Sequence, residues 1–339
     1  MDFSLTEEQL MLQRTVRDLL QKECTTDVLE RGWEDESYFP KDVWGSLADV
    51  GVFSIMVPES DGGLGLGCTE MSLILLEAGE VALPCPLLES TMIGLPLIEP
   101  ITKDDRKKEW TQMVCEGKGI IGFGLTPSEP ISFANHVNIL LVQENDFLYA
   151  CQPTTDQLQK VESVDRNRKL FQLDWPNVKK EVISAGQHVV RQMTLARMRG
   201  ALGTSALLLG LSRAVLNQTV DYVKQRHQFS RPIGSFQAVK HQLSNARIEL
   251  EFALPNLYRG AIALDEQEGQ ASLYVGLAKY SAIHAARLCA RTALQAHGAI
   301  GYTTEYALHY WLKRIWCLTA AWGDTAYCEN QMALHMMGK

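Results

Sequence analysis

No stretch of this chain is apolar for long enough to cross a bilayer. The most apolar run, Gly200 to Leu211, is short and soon meets Arg213, whereas a spanning helix needs about 20 residues. Positive charge is also scarce: 32 Lys and Arg stand against 40 Asp and Glu, a net charge of -8. Polyanion binding draws on a basic surface. Nucleic acid is therefore excluded as the main partner, although a local basic patch can still hold a phosphorylated small molecule. The eight cysteines form no C-x-x-C pair and have no histidine cluster beside them, so neither a zinc site nor a disulfide framework is expected. Scattered buried thiols point instead to a reducing, cytoplasmic setting. The segment Met1 to Glu8 lacks the basic region and apolar core of a secretory signal. There is no internal repeat and no low-complexity tract.

What is present is ordinary globular material, 46% hydrophobic and 21% charged over 339 residues, enough for two or three domains. Thr6-Glu7-Glu8-Gln9 reads as a capping box. Leu10, Leu12, Val16, Leu19 and Leu20 then recur at helical spacing. A helix is expected near Lys41 to Val50 and another from Thr69 to Gly79, after a Gly-rich loop over 57–67. Pro84, Pro86 and Pro96 punctuate short pieces, so the first 115 residues or so read as helical.

The pattern changes near Gly119. Ile120 to Leu125, Val137 to Val142 and Phe147 to Ala150 are short apolar runs between turn residues, the signature of strands. Helical periodicity returns at Val189 and runs to about Gln225. Further helices are expected over 235–264, with Pro255 at a break or kink, over 271–297 and over 304–337. The expected fold class is mainly α with a small β domain. Its parts are a helical domain at 1–117, a short β domain at 118–185 and a helical bundle at 186–339.

Two segments carry a more specific signal. Arg226-His227-Gln228-Phe229-Ser230-Arg231-Pro232-Ile233-Gly234 continues through Gln237 to His241, and Gln295-Ala296-His297-Gly298-Ala299-Ile300-Gly301 continues to Glu305. Both resemble flavin-contacting segments of the acyl-CoA dehydrogenase family, and the resemblance covers essentially the whole chain. It implies the family's helical–β–helical fold, FAD as cofactor and an acyl-CoA thioester as substrate. It also implies an electron-transferring flavoprotein as acceptor. By resemblance, Arg226 meets the FAD pyrophosphate, Phe229 lies against the dinucleotide and Gln237 touches it. The loop bearing Gln295, Gly298 and Gly301 reaches the FAD of a neighbouring subunit. An Arg at a helix end is otherwise a solvated or capping residue. His241 and His297 read as structural rather than catalytic.

Three departures from the family pattern stand beside these matches. Where the family carries its catalytic glutamate, the sequence reads Trp322-Gly323-Asp324-Thr325, with Gly323 in the glutamate position. A second base position used in part of the family corresponds to Ala196. The β region is short: Leu125 to Glu129 resembles the start of a flavin-ring contact, while Trp175 does not match the family's later tryptophan. Ala307 to Arg314, with Gly323-Asp324, resembles the short subunits of heteromeric acyl-CoA dehydrogenases that act on steroid side chains. The expectation is therefore a subunit of a heterotetramer whose longer partner brings the base. Two alternatives stand beside it: a self-sufficient homotetramer using Asp324 as base, and a silent scaffold subunit.

Overall fold

The computed structural model describes residues 4–99 and 105–337. Met1, Asp2 and Phe3, which belong to the segment read above for a signal, lie outside the described residues, as do 100–104 and 338–339. The fold is mainly helical with a small β region between helical parts. The chain forms two compact units. One comprises Met1–Arg17, Ser72–Leu83 and Ala201–Lys339, the other Asp18–Met71 and Pro84–Gly200.

The helices before the sheet are α1 (Glu7–Glu23), α2 (Thr26–Glu34), α3 (Lys41–Asp49), α4 (Cys68–Glu80), α5 (Leu95–Ile98) and α6 (Asp105–Cys115). The capping box of α1 is formed: the Gln9 N–H donates to Thr6 Oγ1 at 3.2 Å, and the Thr6 N–H donates to Gln9 Oε1 at 3.0 Å. The Gly-rich loop is a self-satisfied turn. Backbone N–H groups from Gly62 to Leu66 all donate to carbonyls between Ser54 and Glu59, so none remains to cradle a phosphate. A Cβ on Gly63 would stand 2.1 Å from the Val57 carbonyl oxygen, which is why this turn needs glycine.

In the same unit, β1 (Ile121–Gly124), β3 (Ile139–Glu144), β4 (Phe147–Cys151) and β7 (Lys180–Ala185) form a sheet in the order β1-β3-β4-β7. The β1–β3 pair is parallel, with Ile121 opposite Ile139, and the other pairs are antiparallel. A second sheet, β2-β6-β5, is built from β2 (Ile131–Ser132), β5 (Leu158–Val161) and β6 (Leu170–Leu173). Ile131, Leu140, Val142, Leu173 and Trp175 share one buried core. Trp175 donates its indole N–H to Glu144 at 2.9 Å and meets Tyr149 edge-on at 5.4 Å. It is a core residue of the β region.

α7 (Gln187–Gln225) leads to a hairpin of β8 (His227–Gln228) and β9 (Arg231–Pro232). Then come α8 (Gln237–Asp265), α9 (Ala271–His297), α10 (Leu308–Leu318) and α11 (Thr325–Met336). Two expectations need correction. α8 runs through Pro255 without a break; Pro255 is exposed there, and the missing N–H removes one backbone donor without ending the helix. The single helix expected over 304–337 is two, parted at Trp322 and Gly323, whose φ values are +59° and +109°.

The first unit is drawn tight around α4 and α7. A Cβ on Gly79 would stand 2.3 Å from the Leu207 carbonyl oxygen, and one on Gly210 would stand 2.0 Å from that of Leu76. The absent side chains let the two backbones touch. Beside this contact, the Glu77 carboxylate, only 1% exposed, accepts two bonds from Arg17 at 2.9 and 3.0 Å. It also accepts one from Arg213 at 2.8 Å and one from Gln13 at 2.6 Å.

Candidate functional site

Arg226 follows the last residue of α7. Its N–H donates to Tyr222 and its carbonyl accepts from Ile233, both at 2.8 Å, closing the hairpin. His227 pairs with Pro232 and Gln228 with Arg231, so Phe229 and Ser230 form the two-residue turn. Their φ values are +52° and +63°. A right-handed strand twist favours such a turn, but glycine or asparagine normally fills it. Each left-handed non-glycine residue costs on the order of 1–3 kcal/mol. The turn sets the Phe229 ring out into solvent at 85% exposure. Arg231 lies over the Phe236 ring at 4.1 Å, and Gln237 opens α8 with its side chain exposed. The Arg226 side chain is exposed and makes no ion pair among the described residues.

The second segment begins at the last turn of α9. Gln295 is exposed. Gly298 ends the helix at φ +64° and ψ −138°, a conformation open essentially to glycine alone. Nothing stands within 4 Å of the Cβ it lacks, whereas a Cβ on buried Gly301 would meet His297 at 3.1 Å. Gly298 thus leaves open space, and Gly301 closes the turn onto the helix end.

The two segments are joined by rings. His297 stacks on Tyr222 at 4.2 Å and 23°, and Tyr306 lies 5.2 Å from His297 and 6.1 Å from Tyr222. The end of α7, the end of α9 and the approach to α10 therefore meet at one cluster. The sequence names Arg226, Phe229, Gln237, Gln295, Gly298 and Gly301 as expected cofactor contacts, and the structure places them on these two segments. It does not name Tyr222 and Tyr306, whose ring contacts join the segments and for which only nearness to the matched segments gives a hint.

Asp324 lies elsewhere. Its Oδ1 accepts the Tyr327 N–H at 2.9 Å and caps α11. The start of α11 meets α9 where Arg287 donates to Thr325 Oγ1 at 3.3 Å. That level is about 15 Å along α9 from His297, at 1.5 Å per residue. The neighbouring Gly323 sits at φ +109°, and a Cβ there would stand 2.6 Å from Tyr327 Cδ1. Ala196, which the resemblance aligns with a second base position, is 1% exposed.

The segments suit a dinucleotide. They offer a free guanidinium for a pyrophosphate, an exposed aromatic ring, open space at Gly298 and the orphaned, buried Nε2 of His297. FAD, when bound, would supply the acceptor for two electrons.

Comparison with known proteins gives these observations a family. The acyl-CoA dehydrogenase N-terminal domain matches residues 6–118 and the C-terminal domain residues 185–337. The chain is 28% identical over 316 residues to acyl-CoA dehydrogenase IpdE2 of Mycolicibacterium smegmatis, covering 91% of this chain and 93% of that one. The crystal structure of the ChsE4–ChsE5 complex from Mycobacterium tuberculosis superposes with a TM-score of 0.86 at 22% identity, over 100% of both chains. A variant of the Tcur3481–Tcur3483 steroid ACAD gives 0.83 at 22%, over 98% of each. The fold and the matched domains place this chain in the acyl-CoA dehydrogenase family, whose members are FAD-dependent oxidoreductases.

Proposed function

We propose that this chain is a short subunit of a heterotetrameric acyl-CoA dehydrogenase, and that it completes a flavin site whose catalytic base comes from a longer partner. Arg226 grips the FAD pyrophosphate, with Phe229 against the dinucleotide and Gln237 and Gln295 at its edges. Gly298 and Gly301 let the backbone approach. We read the chain in three parts: 1–117 and 186–339 as helical frame and 118–185 as a reduced β domain. The assembly oxidises the Cα–Cβ bond of an acyl-CoA thioester in the cytoplasm and passes its electrons to an electron-transferring flavoprotein. A steroid side-chain thioester is the substrate class suggested by the likeness to the steroid ACAD.

The observation that carries this reading is Gly323. Its backbone at φ +109° and the Tyr327 ring beside it disfavour a side chain at the position where the family resemblance expects glutamate, and Asp324 is engaged as a helix cap. The test is to purify the chain alone and together with a longer acyl-CoA dehydrogenase from the same genome, then record visible spectra, masses and acyl-CoA oxidation. The expected result is a colourless, inactive chain and a yellow, active complex that loses flavin when Arg226 is exchanged for Ala. A yellow homotetramer inactivated by Asp324→Asn would overturn the reading in favour of Asp324 as base. A complex whose flavin content is indifferent to Arg226→Ala would favour a silent scaffold.

A further inference from the structure

We propose that His297 is a positioning residue: a neutral imidazole packed against both Tyr222 and Tyr306, it holds the Gly298–Gly301 turn in register with the Arg226–Phe229 hairpin. That these segments face FAD rests on the function proposed above; the coupling between them does not.

His297 is 4% exposed. Its Nδ1 lies 2.8 Å from the Ala293 carbonyl oxygen in the last turn of α9. A carbonyl only accepts, so Nδ1 carries the proton and Nε2 is a bare acceptor. Nε2 is buried without a partner. Protonating it would put a second N–H where nothing accepts it and a charge where burial disfavours one. Burial accordingly pushes the His297 pKa down, with the Ala293 carbonyl opposing, and no charged side chain contributes.

The titratable groups that face the imidazole are two phenols. Tyr222 comes from α7, and its hydroxyl reaches toward the His297 carbonyl at 3.5 Å. Tyr306 comes from the approach to α10, and burial raises its pKa. Asp221 and Lys224, also on α7, pair with each other at 3.6 Å.

Position follows from connectivity. Tyr222 accepts the Arg226 N–H through its backbone, so fixing Tyr222 fixes the root of the hairpin. His297 precedes Gly298 directly, and Gly301 closes back onto the His297 Cβ. One ring stack therefore sets both segments. Losing it would loosen both segments: the hairpin's other ring contacts, Arg231 and Phe229 against Phe236, tie it to the start of α8 and not to the Gly298 turn.

Backbone amide exchange on the full-length chain tests this without flavin. Replacing Tyr222 with Leu should raise exchange about tenfold both in 226–233 and in 298–303. Lowering the pH from 8 toward 5 should loosen the same two segments in the parent chain beyond the intrinsic pH effect. His297→Phe, which keeps a ring but cannot be protonated, should abolish that extra response. Tyr222→Phe, which keeps the ring without the hydroxyl, should leave both segments protected and serves if Tyr222→Leu fails to fold. The proposal is overturned if only one segment responds to Tyr222→Leu, or if His297→Phe keeps the extra pH response. Flavin content of the assembled complex separates the two readings. A complex that never holds flavin defeats the FAD reading and leaves the exchange result standing. A complex that holds it undiminished when both segments are loosened defeats the positioning role alone.

Discussion

A Cβ added to Gly323 would stand 2.6 Å from Cδ1 of Tyr327. Real Cβ contacts do not come so close, and the backbone there is at φ +109°. Placing glutamate there by Gly323→Glu should therefore disturb the turn rather than supply a base. A strained non-glycine residue costs on the order of 1–3 kcal/mol. The expected outcome is a lower thermal midpoint with no acyl-CoA oxidation by the chain alone. A folded, active Gly323→Glu chain would show that the turn accommodates a base after all.

Glu77 predicts a pH dependence. Burial alone would raise its pKa, but Arg17 and Arg213 outweigh burial and hold it below the ordinary value of 4.5. The unfolded chain then binds the proton more readily than the folded one. The contribution to stability is present above about 4.5 and is lost as pH falls through the folded value. Glu77→Gln should lower stability at neutral pH by about 1–3 kcal/mol, the cost of losing charged hydrogen bonds, because Arg17 and Arg213 stay partly exposed and Arg213 keeps Glu80 as a partner. It should also flatten the acid limb of the stability profile. Denaturant titrations from pH 7 to 3 on both proteins check the sign; an unchanged acid limb would count against it.

Much of this was legible in the sequence, and the gaps have physical causes. The α1 box is local chemistry within four residues, and the long helices carry their period openly. The helix α2 is not legible in the pattern, which Gly32 interrupts. That glycine is required by Asn167, whose Oδ1 would lie 2.3 Å from a Cβ there, a partner far away in sequence. The parting of α10 from α11 contains no proline. Its signal is positive φ at Trp322 and Gly323, which residue type alone does not reveal. The Glu77 network left a trace, a carboxylate within the apolar run of α4 and Arg213 within that of α7, but pairing them needs the fold. For the candidate site, family resemblance names residues most of which face outward. The Tyr222–His297–Tyr306 stack behind them joins three distant segments and has no local signature.

Lys169 offers a test inside the other unit. It is a left-handed residue at φ +45°. Its ammonium donates to the Gly32 and Asp35 carbonyls at 2.5 and 2.6 Å, satisfying the C-terminal end of α2 from the β region. Cations are favoured at that pole of a helix. Lys169→Met keeps most of the stem and removes the donors. It should cost about 1–3 kcal/mol and raise amide exchange first in 26–35. Unchanged protection there would mean that water replaces the ammonium without penalty.

The hairpin turn separates stability from function. Ser230 holds φ +63° with no side-chain bond to compensate among those described. Ser230→Gly should therefore be neutral or stabilising, by up to about 1 kcal/mol. Its neighbour is expected to behave differently. Phe229 is almost fully exposed and adds little to the fold of the chain, so Phe229→Ala should leave the thermal midpoint within about 1 °C, as surface substitutions usually do. If the ring lies against a dinucleotide in the assembled enzyme, the same change should weaken flavin retention by an order of magnitude or so, since burying an aromatic ring is worth about 1.5–3 kcal/mol. Melting curves on the chain and flavin titration of the assembly give the two halves. A large loss of stability with unchanged flavin binding would invert the assignment and make Phe229 a folding residue.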